Sequence, residues 1–210
     1  MAAKDEGRSM PQDWISRQIN SAASPNGLRG VDLHGINLSA KNLIGADLRG
    51  SNLRRARLKK TNFIDANLQG ADLSGANLIR AILIGANLSE ATLAQADLIA
   101  ANLLGADLSG AKLFKADFLR ANLMGSNLKG ADFSGADLME ADLSRADFSE
   151  TILTGTNLIG ANLRFATHLS LTEIESAFFN RTTLFPDYIA ISWTSDTAYR
   201  LGSSSKSAIS

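Results

Sequence analysis

Every fifth residue from Leu33 to Leu163 is Leu or Phe, 27 consecutive positions without a slip, and Leu28 extends the register by one more. Two residues before each of these centres stands a small residue, usually Ala, as in Ala71-Asp72-Leu73-Ser74-Gly75 and Ala101-Asn102-Leu103-Leu104-Gly105. A period of five matches neither a helix nor a flat strand. Within one repeat, a short extended segment points the small residue and the central Leu to one side, and the residue between them away. The last two residues must then turn the chain so that the next pair also faces inward. Gly at the turn, as at Gly45, Gly70, Gly105 and Gly130, suits a backbone that needs positive φ. Repetition wraps the chain around an apolar core, each coil bonded to the coils above and below. This is a β-solenoid with nearest-neighbour stability.

The centres cannot say how many repeats close a coil, because they are all alike. The outward residue after each centre can. Sorted into columns that recur every 20 residues, one column reads Ile44, Ile64, Ile84, Leu104, Met124, and the next Ile79, Ile99, Leu119, Met139, Ile159. The other two are mainly polar: Arg49, Gln69, Ser89, Ser109, Lys129, Ser149, and His34, Arg54, Ser74, Ala94, Phe114, Ser134, Thr154. Of eleven large apolar residues at this position, ten fall in two columns and only Phe114 lies elsewhere, so four repeats per coil are favoured.

The Ala-(Asp/Asn)-Leu-X-X repeats resemble the pentapeptide-repeat family over about residues 27–167. The resemblance implies an all-β fold, a right-handed quadrilateral parallel β-helix with four five-residue sides per coil. Handedness comes from the resemblance alone. About seven coils at roughly 4.8 Å each make a rod on the order of 35 Å long. Arg57, Ile82, Thr92, Lys112 and Ile152 depart from the usual Asp or Asn, Lys41 replaces a small inward residue, and the register ends at His168, where Leu is due.

Four regions are expected. Residues 1–26 form a polar extension with a candidate short helix at Pro11–Ile19, residues 27–167 the β-helix, residues 168–193 a C-terminal cap, and residues 194–210 a Ser-rich flexible tail. Thr172-Glu173-Ile174-Glu175 reads as a capping box, Thr at the N-cap, opening a short helix through about Phe179. Its Ile174, Ala177 and Phe178 would cover the last coil, whose open edge otherwise invites association. In quinolone-resistance members of the family the C-terminal segment forms a dimer contact, so Ile174, Phe178, Phe185, Tyr188 and Trp193 are candidates for cap or dimer contact.

Catalysis finds no support. The two histidines, His34 and His168, lie at opposite ends of the rod, no nucleophile has a placed base, and no Gly-rich phosphate loop follows a strand. No cofactor or small-molecule substrate is implied. With no Cys there is neither a disulfide nor a thiolate metal site. Asp97, Asp117 and Asp137 stack in one column, and a solvated outer face is favoured there over a cation site. The N-terminus lacks an apolar signal region, and no stretch approaches the roughly 20 apolar residues of a membrane span, so a cytoplasmic location is expected.

The quinolone-resistance members are thought to imitate the anionic DNA duplex and so inhibit type II topoisomerases. Between residues 31 and 165 this chain carries 14 acidic and 14 basic side chains, which disfavours DNA mimicry. Arg49, Arg54, Arg55, Arg57, Lys59 and Lys60 make the early coils basic, and Asp132, Asp137, Glu140, Asp142, Asp147 and Glu150 make the later coils acidic. Nucleic-acid binding is disfavoured because the basic cluster lacks interleaved aromatics.

The leading candidate for function is the pair of apolar columns. They occupy adjacent corners and border one side of the rod, with Ile82 between Ile79 and Ile84. The surface comprises Ile44, Ile64, Ile79, Ile82, Ile84, Ile99, Leu104, Leu119, Met124, Met139 and Ile159, with Lys60, Arg80 and Arg120 as a polar border. An apolar patch of that extent marks an interface with a protein partner or a second copy, unless a terminal segment covers it.

Overall fold

The structure, a computed structural model, describes residues 25–195 and 198–203. Its architecture follows from where the backbone N–H groups of one repeat go. In Ala71–Gly75, Ala71 N–H donates to Leu68 across the turn at 2.9 Å. Asp72 N–H reaches back one coil to Ser51, while Leu73 and Gly75 N–H reach forward to Thr92 and Ala94. The fifth, Ser74 N–H, donates to the Asp72 side chain at 2.9 Å. All five donors are satisfied, as a folded backbone requires. The same bond, from the residue after the centre to the residue before it, recurs at Asp32, Asn62, Asn102 and Asp142. It gives the physical reason for Asp or Asn in each repeat: a short side chain whose oxygen stands two residues before an otherwise orphaned N–H.

Parallel bridges join residues 20 apart, from Asp32↔Asn52 to Asp147↔Thr167, so each coil has four five-residue sides. Each side contributes a single bridging residue, too little for an extended strand. The sides are called first to fourth, with centres at Leu33, Leu38, Leu43 and Leu48 in the earliest coil. Every centre from Leu33 to Leu163 is at most 3% exposed. The larger Phe63, Phe118, Phe133 and Phe148 are fully buried at four of these positions. Where Thr replaces the small inward residue, its hydroxyl donates to a carbonyl of the preceding coil, as Thr61 to Leu38 and Thr156 to Phe133. Lys41, the charged exception, is exposed.

The final residue of every repeat from Gly35 to Phe165 has φ between 53° and 71°. Glycine is not required there: Arg55, Lys60, Glu90, Lys115 and Phe165 adopt the same left-handed conformation. Each such residue costs roughly 1 kcal/mol relative to glycine, and at Arg55, Lys60, Glu90 and Lys115 an N–H bond to the next coil helps to offset that cost. Corner side chains are therefore free to vary in charge and size.

The register breaks after Thr167. His168 turns outward and Leu169, 3% exposed, takes the buried place. Helix α1 (Leu171–Ser176) follows, with Ser170 rather than Thr172 as its N-cap. Glu173 N–H donates to the Ser170 hydroxyl at 3.2 Å, and Ser170 N–H donates to the Glu173 carboxylate at 2.9 Å. The Ser170-x-x-Glu173 box lies two residues ahead of the expected Thr172–Glu175 box and starts the helix where the coil register ends. The helix stops at Ser176, short of Phe179, because Phe178 returns to the ladder: it pairs with Asn157 on the second side, and Leu184 pairs with Asn162 on the third. Ile174 and Ala177 join the core, whereas Phe178 is 64% exposed and covers nothing.

Strands β1 (Ile189–Trp193) and β2 (Tyr199–Ser203) form an antiparallel pair. Residues 199–203 thus replace part of the expected flexible tail with a strand. The Phe179 ring lies 5.1 Å from Phe185, 6.1 Å from Trp193 and 4.7 Å from Tyr199, centroid to centroid. That cluster gives β2 an apolar reason to fold back which the composition of the tail does not advertise. At the other end Pro25–Leu28 is a short 3-10 turn. The candidate helix at Pro11–Ile19 lies outside the described residues.

Two substitutions test this accounting in urea unfolding. Leu98→Ala removes a fully buried centre and should cost about 2–5 kcal/mol. Ile152→Asn, at a position 46% exposed where the side-chain acceptor is missing, should instead stabilise by roughly 0.5–1.5 kcal/mol.

Candidate interaction surface

The outward residue after each centre begins a corner, where side chains project furthest from the rod. On the corner between the second and third sides stand Ile79, Ile99, Leu119, Met139 and Ile159. On the corner between the third and fourth stand Ile44, Ile64, Ile84, Leu104 and Met124. Bridges at 20-residue spacing stack successive members of each column on neighbouring coils. Ile44, at the start of its column, is 49% exposed. Ile64, Ile79, Ile82, Ile84, Ile99, Leu104, Leu119, Met124, Met139 and Ile159 are all half-buried. Coils stack at roughly 4.8 Å, so each side chain spends part of its surface on the next one along.

The two columns are rails rather than a continuous apolar sheet. Between them runs Asn42, Asn62, Ile82, Asn102, Asn122, Asp142 and Asn162. These amides are tied down. Asn102 Oδ1 accepts from Leu104 N–H and from Asn122 Nδ2, both at 3.2 Å, and Asp142 Oδ1 accepts from Asn162 Nδ2 at 3.1 Å. Only Ile82 makes the middle apolar, in the coil of Ile79 and Ile84.

Charged corner residues frame the rails. Lys60, Arg80, Arg120 and Glu140 follow one another on the corner between the second and third sides, and Asp65 and Arg145 lie on the opposite corner. Arg120 Nε donates to Glu140 Oε2 at 2.6 Å. Hydrogen bonding to the guanidinium holds the Glu140 carboxyl below the ordinary range, and the same bond raises Arg120.

The C-terminal candidates do not form one surface. Ile174 is buried, and Phe185 and Trp193 are half-buried, both set edge to face against Phe179. Tyr188 donates its hydroxyl to Ala166 O and accepts Leu169 N–H, both at 3.1 Å; burial raises its pKa, opposed by that N–H. Phe178 alone of the five is widely exposed. It flanks Ile159 on the side away from Leu184, so the first rail runs into two further apolar residues at its end. Leu184 and Phe165, the latter 66% exposed, are apolar surface that the columns do not reveal. Leu184 follows the register break, and Phe165 sits at the second corner position rather than the first.

Asp97, Asp117 and Asp137 stack as expected, but each Oδ1 accepts the N–H two residues on. Among the described residues no group of three or more His, Cys, Asp or Glu is placed to hold a metal ion. Asp147 is held below the ordinary carboxyl range by the Ser149 hydroxyl and N–H, with a further contribution from His168, whose Nδ1 lies at 2.8 Å. An open depression of about 280 Å³, lined by Arg29, Arg49, Gly50, Gln69, Gly70 and Glu90, lies on another corner. No helix among the described residues is long and apolar enough to cross a membrane.

A sequence profile for pentapeptide repeats, in eight copies, matches residues 28–63, 61–98, 91–130 and 126–164. The chain is 36% identical to HetL, a pentapeptide repeat protein involved in heterocyst differentiation regulation from the cyanobacterium Nostoc sp. strain PCC 7120, over 75% of this chain and 70% of HetL, with a TM-score of 0.35. It is 35% identical to a pentapeptide repeat protein of the Arabidopsis thaliana thylakoid lumen, over 55% of this chain and 74% of that one, with a TM-score of 0.35. It is 18% identical to QnrB1, a plasmid-mediated fluoroquinolone resistance protein, over 75% and 86% of the two chains, with a TM-score of 0.31. No curated protein sequence matches. Pentapeptide-repeat proteins fold as right-handed quadrilateral β-helices and are generally non-catalytic.

Proposed function

Because this chain belongs to the pentapeptide-repeat family, we propose that it is a non-enzymatic cytoplasmic protein that works by holding another protein chain against the third side of its β-helix. The observation that carries this reading is the concentration of large apolar residues after the centres on the two corners of one side, ten of eleven, with exposed Phe114 the exception. Solubility alone favours polar corners, as on the other two columns, so ten apolar residues on two adjacent corners need a use. Paired apolar rails with a satisfied polar stripe between them suit a partner that rests on both rails. Met124 and Met139 add adaptability to such a contact.

In this reading the rod comprises about seven regular coils, and α1 with the β1–β2 pair is its C-terminal cap. Buried Leu169, Ile174, Ala177 and Ile189 support that role. The cap leaves the sides rather than that end as docking surface. A filled convex rod lacks the concave site that a small-molecule enzyme needs. Equal numbers of acidic and basic residues, 21 of each, count against imitation of DNA. The identity with HetL favours a cyanobacterial source.

The double change Ile84→Asp, Leu104→Asp places two charges on one rail without touching the core. Affinity capture from the native host, alongside sedimentation of the purified chain, should show association reduced at least about tenfold with the circular-dichroism spectrum unchanged. Undiminished association by the well-folded variant rules the third side out.

A further inference from the structure

The third side carries a pattern in its corner pairs that goes beyond apolarity. Each coil places one residue at the left-handed position of the corner before the third side and one at the corner after it. In chain order the pairs are Ala40 with Gly45, Lys60 with Asp65, Arg80 with Gly85, Ala100 with Gly105, Arg120 with Gly125, Glu140 with Arg145, and Gly160 with Phe165. The two coils charged at both corners carry opposite signs, and in opposite order. In each coil with one long or bulky corner residue and no opposite charge, the other corner is glycine. The remaining two coils are small at both.

We infer that the third side docks a second copy of this chain, related by a two-fold axis parallel to the rod, so that coils of equal height face each other. This rests on the third side being the interaction surface and names its occupant. Such an axis exchanges the two corners, and a two-fold interface is self-complementary by construction. Lys60 meets Asp65 of the second copy, and Glu140 exchanges Arg120 of its own chain for the second copy's Arg145, each pair formed twice. Arg120 extends over Gly125, above which no other atom of the described chain stands; Gly85 is overlain by the Asp65 carboxylate, which Arg80 meets, and Gly160 is flanked by Glu140 and Thr182, against which Phe165 lies. In three coils the rails interlock at the same heights, Ile79 against Ile84, Ile99 against Leu104, and Leu119 against Met124; outside them Lys59 faces Ile64, Met139 faces Ser144 and Ile159 faces Arg164. Along the middle each Asn faces its own copy, and an amide both donates and accepts. Ile82 meets Ile82. Asp142 against Asp142 is the single like-charged meeting, and Asn162 already donates to that carboxylate.

The antiparallel alternative also pairs Lys60 with Glu140 and Asp65 with Arg145, but it sets Arg80 against Arg120 twice and loses the match to glycine. The basic early coils lie side by side in the parallel arrangement. Their charges on the first and second sides stand beyond a screening length of about 8 Å, so contacts across the third side decide. A side roughly 34 Å long and about 15 Å wide buries on the order of 500 Å² per copy. That total lies close to the ~1,000 Å² needed for a specific interface, which makes this a weak dimer, with a dissociation constant on the order of micromolar.

Sedimentation velocity of the full chain over a wide concentration range should show a monomer–dimer equilibrium. Asp65→Lys should weaken it at least about tenfold, and Lys60→Glu combined with Asp65→Lys should restore it, because the signs stay opposed within the coil. In an antiparallel dimer that double change puts like charges at both corners and weakens association further. Both residues are exposed, so folding is not at stake. The chain has no Cys, so Asn62→Cys offers a second reading: facing sides stand about 10 Å apart, and a short bismaleimide should link two copies through this position. A monomeric wild type, failure of the double change to restore dimers, or absence of the Asn62→Cys cross-link in a dimeric sample overturns the proposal. If the wild type is monomeric but Ile84→Asp, Leu104→Asp abolishes capture of a different protein, the second copy is wrong and the third side stands.

Discussion

The hydrogen-bond ladder between coils is the constraint on which the rest of this molecule depends. Three of the five N–H groups in a repeat bond to a neighbouring coil, one closes the turn and one is met by Asp or Asn. Because these bonds tie residue to residue at a separation near 20, they hold every column in register from one end to the other. The ladder fixes what points in and what points out. It is also strong enough to impose a left-handed corner on Arg, Lys, Glu and Phe.

That rigidity divides the chain between two duties. Past the first coil, inward positions hold only Leu, Phe and small residues, because the ladder turns them into a buried core. The middle outward position is restricted by the turn N–H it must satisfy. What remains free is the pair of corner residues, and the particular character of this protein is written there. Corner side chains stack on their own column at roughly 4.8 Å, so a row of like residues becomes a continuous rail. Two apolar rails border a stripe of locked amides on the third side. The charged and glycine corners beside those rails alternate in a way that a same-height copy complements.

Legibility in the sequence follows the same division. The five-residue beat and the twenty-residue recurrence of the corner residues describe the coils because period and structure are one thing in a repeat. The amide stripe breaks the apolar side because the middle outward position answers to the turn N–H and not to the corner columns; Asn102 and Asn122 show its effect. Past Thr167 the repeat no longer guides the reading. Two Thr/Ser-x-x-Glu boxes overlap there, and only the position at which the coil ends selects Ser170 over Thr172. Phe178 resembles a helix-face residue by spacing, yet pairing with Asn157 turns it outward. Tyr199 belongs to a Ser-rich segment whose composition hides a strand, because its partner is an aromatic cluster assembled from residues far along the chain.

The central claim is that this rod meets its partner, a second copy, through the third side. Ile methyl resonances followed by NMR as the concentration of the wild-type chain is raised test it most directly. Ile79, Ile82, Ile84 and Ile99 should shift together, while exposed Ile152 on the first side and buried Ile174 stay where they are. Shifts centred on Ile152, or spread evenly over all sides, would contradict the claim, as would a spectrum that does not change with concentration.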